Sequence, residues 1–385
     1  MKKILAIILA AVMAVSVSAC SSSASNTAAS TDASEASSDS GESKASDASG
    51  KKYHFEIVSK GFQSTYWQAV YKGATAELEA LNSKAGYEKY SMNFVGPDSE
   101  SDVSTQVQEF TSALNTKPDA LGLAALDVSA LLGSIKNAQS EKIPIIGFDS
   151  GVPNAPEGAV LANASTDNYA AGKVAADSMY EKIKDRVSKG KVRIGEVNQD
   201  ATSESITNRG LGFIDEMISK LTADGKKVFV TGNEKYVGSC KGANGTADNA
   251  DVIIEVRVPA QTTTELCATE AGVILNESDT IAIFGSNQVS AEGILTANET
   301  LQVLGSDSDK ILAVGFDSGK VIKSAVTAGT MYGAVTQSPV KIGSVLIDLL
   351  AASAEDQSVK DTDTGCAFYT AENIANAEIA QNLYD

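Results

Sequence analysis

The chain has 385 residues, with 31 basic against 49 acidic side chains and a formal net charge of −18. That length suggests two domains, and the acidic balance argues against a nucleic-acid partner, whose phosphates require basic patches. A single histidine, His54, leaves histidine-based catalysis and metal binding poorly supplied, and it reads as a surface residue at the start of a strand.

Residues 1–20 read as an export signal. Lys2 and Lys3 form the positive end, and the apolar run 4–15 is too short to span a bilayer as a mature helix. Val17-Ser18-Ala19-Cys20 resembles the bacterial lipobox. The resemblance implies cleavage before Cys20 and lipid on its sulfur, which would hold the protein on the outer face of the cytoplasmic membrane, extracellular or periplasmic. Residues 21–52 are Ser, Ala, Thr, Asp, Glu and Gly with scarcely a large apolar side chain, so they are expected to form a disordered tether.

From residue 53 the pattern alternates. Phe55, Ile57 and Val58 mark a strand, and a polar loop 60–65 follows. Trp67, Val70, Ala74, Leu78 and Leu81 recur at helical spacing. A strand over 90–95, a helix carrying Val103, Val107, Phe110 and Leu114, a strand over 119–125, a helix with Leu131 and Ile135, and the apolar run 143–146 come next. After a short strand at 160–163, Asp167 can cap a helix through Ala170, Val174 and Met179. The alternation then repeats, with strands expected over 192–197, 228–230, 252–254, 281–284 and 331–336. Strands and helices at this pitch imply parallel βαβ units.

One pentapeptide is written twice after an apolar run, as Gly147-Phe148-Asp149-Ser150-Gly151 and as Gly315-Phe316-Asp317-Ser318-Gly319. A carboxylate just past the C-terminal end of a parallel strand sits where open α/β sheets bind ligands. Two copies suggest two similar lobes, each offering one Asp to a shared cleft.

The order of these fragments resembles the type I periplasmic binding proteins, in particular the ribose and monosaccharide branch. The matching stretches are Val58-Ser59, Tyr66-Trp67, Lys72-Gly73-Ala74, Thr166-Asp167-Asn168, Ala171-Gly172, Asn208-Arg209-Gly210, Gly212-Phe213, 284–287, Gln337 and Ile342-Gly343. The resemblance implies an α/β fold of two Rossmann-like lobes with parallel sheets, joined by a three-crossover hinge. The crossings are expected near Ser165, near 287–290 and near 337–339. The N-terminal lobe is expected over 53–165 and 338–364, and the C-terminal lobe over 166–337 and 365–385.

Carried onto this chain, the resemblance implies a ligand site made of Tyr66, Trp67, Asp149, Arg209, Asn287, Asp317 and Gln337. The rings would stack on the apolar faces of a sugar. The carboxylates would accept hydroxyl hydrogen bonds, Arg209 would donate from a rigid fork, and the two amides would do both. Two carboxylates and one guanidinium suit a neutral polyol better than an anion. The implied partners are a monosaccharide and the permease and ATPase subunits of an ABC importer, with the protein acting as a monomer and without cofactor or metal. A sensor that passes its closed form to a membrane receptor is the alternative. Ser150 stands where the ribose branch has Arg, Ser64-Thr65 where it has Asn-Pro, and Gln261 or Thr262 where it has an aromatic residue, so the pocket is expected to differ from a ribose site.

An enzyme is not expected, because nothing around the two Asp residues supplies leaving-group chemistry. A lactose-repressor-type regulator would need a helix-turn-helix where this chain has a signal and tether. Cys240 and Cys267 bracket a Gly- and Asn-rich insertion, and an exported protein can carry a disulfide. A Cys240–Cys267 bond would close a loop of roughly 27 residues and stabilise by about 3–4 kcal/mol, while Cys366 reads as a packed thiol. Asp361-Thr362-Asp363-Thr364 lacks the apolar strand of a phosphatase motif and reads as a loop. Asp98, Glu100 and Asp102 lack the Gly and final Glu of a calcium loop and read as acids at a helix N-terminus.

Overall fold

The computed structural model describes residues 50–152 and 154–385. The expected export signal, Cys20 and residues 21–49 of the expected tether lie outside the described residues. The chain runs β1 (Tyr53–Val58), α1 (Thr65–Ala85), β2 (Tyr90–Val95), α2 (Val103–Asn115), β3 (Ala120–Leu123), α3 (Val128–Ser140), β4 (Ile145–Phe148) and β5 (Val160–Ser165). It continues α4 (Asn168–Val187), β6 (Val192–Val197), α5 (Glu204–Ala223), β7 (Val228–Gly232), α6 (Glu234–Ser239), β8 (Val252–Arg257), α7 (Thr264–Leu275) and β9 (Thr280–Gly285). The remaining elements are α8 (Gln288–Leu301), β10 (Leu312–Phe316), α9 (Lys320–Ala328), β11 (Gly333–Gln337), α10 (Pro339–Ala354), β12 (Thr362–Asp363), β13 (Cys366–Thr370) and α11 (Ala377–Ala380).

These strands form two sheets. One has the order β12-β5-β4-β3-β1-β2 and is parallel throughout. The other has the order β13-β11-β10-β9-β6-β8-β7 and is parallel except for β13, which pairs antiparallel with β11. β3, β4, β9, β10 and β11 are buried along their whole length, as strands covered by helices on both faces must be. Polar side chains start the helices: Ser64, Asp102, Asp127, Asp167, Asn233, Thr263 and Asn287 each accept a backbone N–H of the first turn.

Between the sheets the chain passes from β5 to α4, from β11 to α10, and from β12 to β13. α10 belongs to the first sheet, where Ile342, Leu346, Ile347 and Leu350 pack with Phe55, Ile57 and Trp67. No crossing occurs at 287–290, contrary to the sequence expectation. Asn287 instead caps α8, and α8 buries Ile294 against Ile283 and Ala313 of the second sheet. β13 was not legible in the sequence, and Thr362-Asp363, expected as loop, adds an edge strand beside β5.

The expected Cys240–Cys267 bond is not formed, and Cys240, Cys267 and Cys366 are free thiols. Alternate residues of β9 and β10 point to opposite faces of the second sheet, Ala282 and Phe284 to one and Ile283 to the other. Cys240 packs against the first of these cores and Cys267 sits inside the second, so the sheet separates them.

Each lobe brings helices into backbone contact. A Cβ on Gly73 would lie 1.9 Å from the Val340 carbonyl oxygen, and one on Gly343 would lie 2.0 Å from that of Val70, which fixes α1 against α10. In the second lobe Gly172 and Gly212 bring α4 and α5 together in the same way. Overpacking of this kind typically costs about 1–3 kcal/mol, so Gly343→Ala is expected to lower the melting temperature, as calorimetry would show.

Glu196 on β6 is fully buried, accepts one hydrogen bond from the Asn198 amide at 2.6 Å, and has no ion-pair partner among the described residues. Burial pushes its carboxyl well above the ordinary range, against the Asn198 amide and with Asp215 adding repulsion. A raised folded-state pKa means that the folded protein holds the proton longer than the unfolded chain. This contribution to stability is therefore complete below about pH 4.5 and is lost as pH rises. Glu196→Gln is expected to melt close to the wild type at pH 5 and above it at pH 8.

Candidate functional site

Both copies of the repeated pentapeptide end a buried parallel strand, β4 and β10, at the carboxyl edge of its sheet. Asp149 and Asp317 both take left-handed backbone conformations, with φ of 55° and 70°. Each is locked by the neighbouring strand: Asp149 N–H donates to the Ala164 carbonyl at 3.1 Å and Asp317 N–H to that of Val335 at 2.7 Å. Asp tolerates this region better than most residues, and the strain recurs at functional turns. The turn aims each carboxylate out of its sheet.

The two carboxylates line one cavity of about 310 Å³ between the lobes. All seven residues singled out in the sequence line it: Tyr66, Trp67, Asp149, Arg209, Asn287, Asp317 and Gln337. The lobes meet around it, with Gln199 Nε2 donating to Glu100 Oε2 at 2.8 Å and Thr262 N–H to Ser101 Oγ at 2.8 Å.

Asp149 accepts a hydrogen bond from Tyr66 Oη at 2.5 Å through Oδ1. Its Oδ2 lies 3.2 Å from Lys60 Nζ but without hydrogen-bond alignment, so it is ion-paired and still has acceptor capacity. Lys60 also faces Glu100 at 3.7 Å and donates to Ser205 Oγ at 3.3 Å. Burial opposes its charge, but Asp149, Glu100 and Asp200 outweigh burial and hold the ammonium above its ordinary pKa. Burial, and next the Asp149 carboxylate, raises the Tyr66 phenol, which stays a donor.

Asp317 accepts from Gln337 Nε2 at 2.7 Å and from the Gln288 N–H at 3.2 Å, with Arg209 Nη1 at 3.8 Å. Burial raises its carboxyl, and Arg209 and Gln337 offset part of the effect. Arg209 lies over Phe316, with Cζ 3.6 Å from the ring centre, and donates to Asn168 Oδ1 and to the Ser286 carbonyl. Its fork is thus held mainly by protein. Trp67 has no exposed surface, and its Nε1–H donates to Glu100 at 2.7 Å. Asn287 spends its carbonyl on the α8 cap and its amide on Gln199. Gln337 Oε1 is buried without a partner.

A family model described as a periplasmic binding protein domain matches residues 55–358. The chain belongs to this periplasmic binding protein family. It is similar to the ribose import binding protein of Haemophilus influenzae, 26% identical over 217 residues that cover 56% of this chain and 59% of that protein. Among solved structures, one from Brachyspira murdochii described as an ABC transporter, LacI family transcriptional regulator is 32% identical, with a TM-score of 0.70 over 87% of this chain and 99% of the other. An ABC transporter solute binding protein from Agrobacterium vitis, solved with bound D-fucose, is 26% identical, with a TM-score of 0.71 over 86% and 100%.

More residues line the cavity of this family member than its sequence motifs marked. Lys60, Glu100, Gln199, Gln288 and Glu292 also line the cavity. Lys60 and Gln199 lie two residues beyond β1 and β6, Gln288 three beyond β9, and Glu100 five beyond β2. The strand-end rule that singled out the two Asp residues would have found these four had it been applied to every loop. Glu292 lies a turn inside α8 and carries no such signal. Of the acids expected at the start of α2, Asp102 caps the helix whereas Glu100 turns into the cavity. Ser150 donates to the Ala125 carbonyl at 2.9 Å and is buried, so the cation beside Asp149 comes from Lys60. Among the described residues no cluster of three metal-ligating side chains occurs.

Breaking a buried ion pair from one side typically costs about 3–5 kcal/mol. Lys60→Met is expected to lose stability in that range by chemical denaturation, and adding Asp149→Asn to recover much of it.

Proposed function

We propose that this protein captures a monosaccharide between its two lobes outside the cytoplasm and delivers it to an ABC import permease. The observation that carries the reading is the single cavity that Asp149 and Asp317 share across the lobes. Its lining supplies two cations, Lys60 and Arg209, against four carboxylates, Glu100, Asp149, Glu292 and Asp317. That balance repels anions. Burial raises the Asp317 and Glu292 carboxyls, with Arg209 and Gln288 respectively opposing it. The open acceptors Asp149 Oδ2 and Gln337 Oε1 are matched by hydroxyl donors. The names of the relatives, a ribose import protein and a D-fucose complex, support the same ligand class. The site is read as a binding site rather than a catalytic one, each Asp being engaged by a cation and a donor of the protein.

The moving units are taken as residues 53–165 with 338–364, and 166–337 with 365–385. A ligand shifts an open–closed equilibrium only through its preference for the closed form, and contacts from both lobes supply that preference. The protein acts as a monomer held at the outer face of the membrane by lipid on Cys20. Cys20→Ala is expected to abolish labelling by a tagged fatty acid and to release the protein into the soluble fraction.

A panel of pentoses and hexoses, D-ribose, D-fucose, D-arabinose and D-allose among them, tests the ligand. At a hundred times Kd a bound sugar adds about 2.7 kcal/mol of stability, which a thermal melt reads directly. Asp149→Ala or Asp317→Ala is expected to weaken binding by about 1–3 kcal/mol in calorimetry. Unchanged affinity in both would remove the site assignment.

A further inference from the structure

Tyr384 stands outside the cavity lining yet touches the supports of both cavity carboxylates. Its backbone is bound to the turn that follows Asp317. Tyr384 N–H donates to Ser318 Oγ at 2.9 Å, and the Gly319 N–H donates to the Tyr384 carbonyl at 3.1 Å. Its neighbours are fixed to the second lobe: Leu383 packs in that lobe's core, and the Thr336 hydroxyl donates to the Asn382 carbonyl at 3.1 Å. The Tyr384 ring goes the other way. It packs against the core of the first lobe and meets Tyr66 edge-on, with centroids 5.9 Å apart and planes at 66°. Tyr66 is the donor that holds Asp149. Tyr384 is thus held to the second lobe by its backbone while its ring packs on the first.

The phenol joins a polar chain along the same rim. Tyr384 Oη donates to Gln288 Oε1 at 3.4 Å, and Gln288 Nε2 donates to Thr65 Oγ1 of the first lobe at 3.3 Å and to Glu292 at 2.9 Å. The Gln288 N–H in turn holds Asp317. Ring contact and amide chain therefore both bridge the lobes beside the cavity, and Tyr384 is the residue common to both.

We propose that Tyr384 is a positioning residue for ligand capture, a clasp that ties the Asp317 turn to Tyr66 and Asp149 and holds the closed cleft. This rests on the reading of the cavity as a sugar site. A ring contact made only when the lobes are together stabilises the closed form and slows its opening, so its loss falls on ligand release rather than on folding.

The test compares the wild type, Tyr384→Ala and Tyr384→Phe by calorimetry with the sugar of the panel above that binds the wild type. Release is followed by Trp67 fluorescence in stopped flow, and the ligand-free proteins are compared by melting and small-angle scattering. Tyr384→Ala is expected to raise Kd about tenfold or more, chiefly through faster release, with a ligand-free melting temperature within a few degrees of the wild type. Tyr384→Phe keeps the ring and the bonds of its own backbone, loses only the phenol's long bonds to Gln288 and the Ser318 N–H, and is expected to restore affinity to within about threefold. A Tyr384→Ala variant that binds within twofold of the wild type overturns the clasp. If the wild type binds no sugar, the cavity reading fails by itself. The scattering then decides the clasp: a larger radius of gyration for ligand-free Tyr384→Ala supports it, and an unchanged one overturns it.

Discussion

Two carboxylates withdrawn from water, on left-handed turns at the ends of two parallel strands, are the constraint on which the remaining site depends. Burying an unpaired carboxylate costs several kcal/mol, so each must be given a cation and a donor. Asp149 takes Lys60 and Tyr66, and Asp317 takes Arg209 and Gln337. These partners need supports of their own. Arg209 rests on Phe316 and Asn168, and Lys60 shares its charge with Glu100, which is in turn bonded to Trp67 and Gln199. The cavity wall is the end product of satisfying two buried charges.

On the proposed reading, the same balance disfavours an anion. The four carboxylates at the lining exceed the two cations, and both cations are committed to protein carboxylates. A neutral molecule with many hydroxyls donates to the remaining acceptors without adding charge. The two lobes contribute unequally. The first gives its Asp a tyrosine and a lysine, the second an arginine and an amide, so the repeated pentapeptide gives two similar turns with different companions.

The alternation of strands and helices was legible because a parallel sheet covered on both faces leaves long apolar runs at β3, β4, β9 and β10. β13 was hidden because an edge strand is only partly buried, and Cys366, Ala367, Phe368 and Thr370 indeed stay partly exposed. The crossing expected near Asn287 failed for a local reason. A cap residue and a hinge residue look alike in sequence, and only the packing of α8 on the second sheet tells them apart. The Cys240–Cys267 pairing failed because chain separation carries no information about which face of a sheet a side chain occupies.

By itself the sequence determined the two α/β lobes, the strand ends that carry Asp149 and Asp317, and the five further side chains those motifs implied. The lobes and the strand ends follow from periodicity and from residue types that only particular backbone positions accept, whereas the five further side chains are those the family resemblance implied. The tertiary structure alone decided which charges meet. Lys60 reaches Asp149, Glu100 leaves its helix end for the cavity, and Tyr384 arrives from far along the chain to touch Tyr66. Electrostatic pairing and ring contact depend on distance in space, and the fold sets that distance only after the lobes have packed.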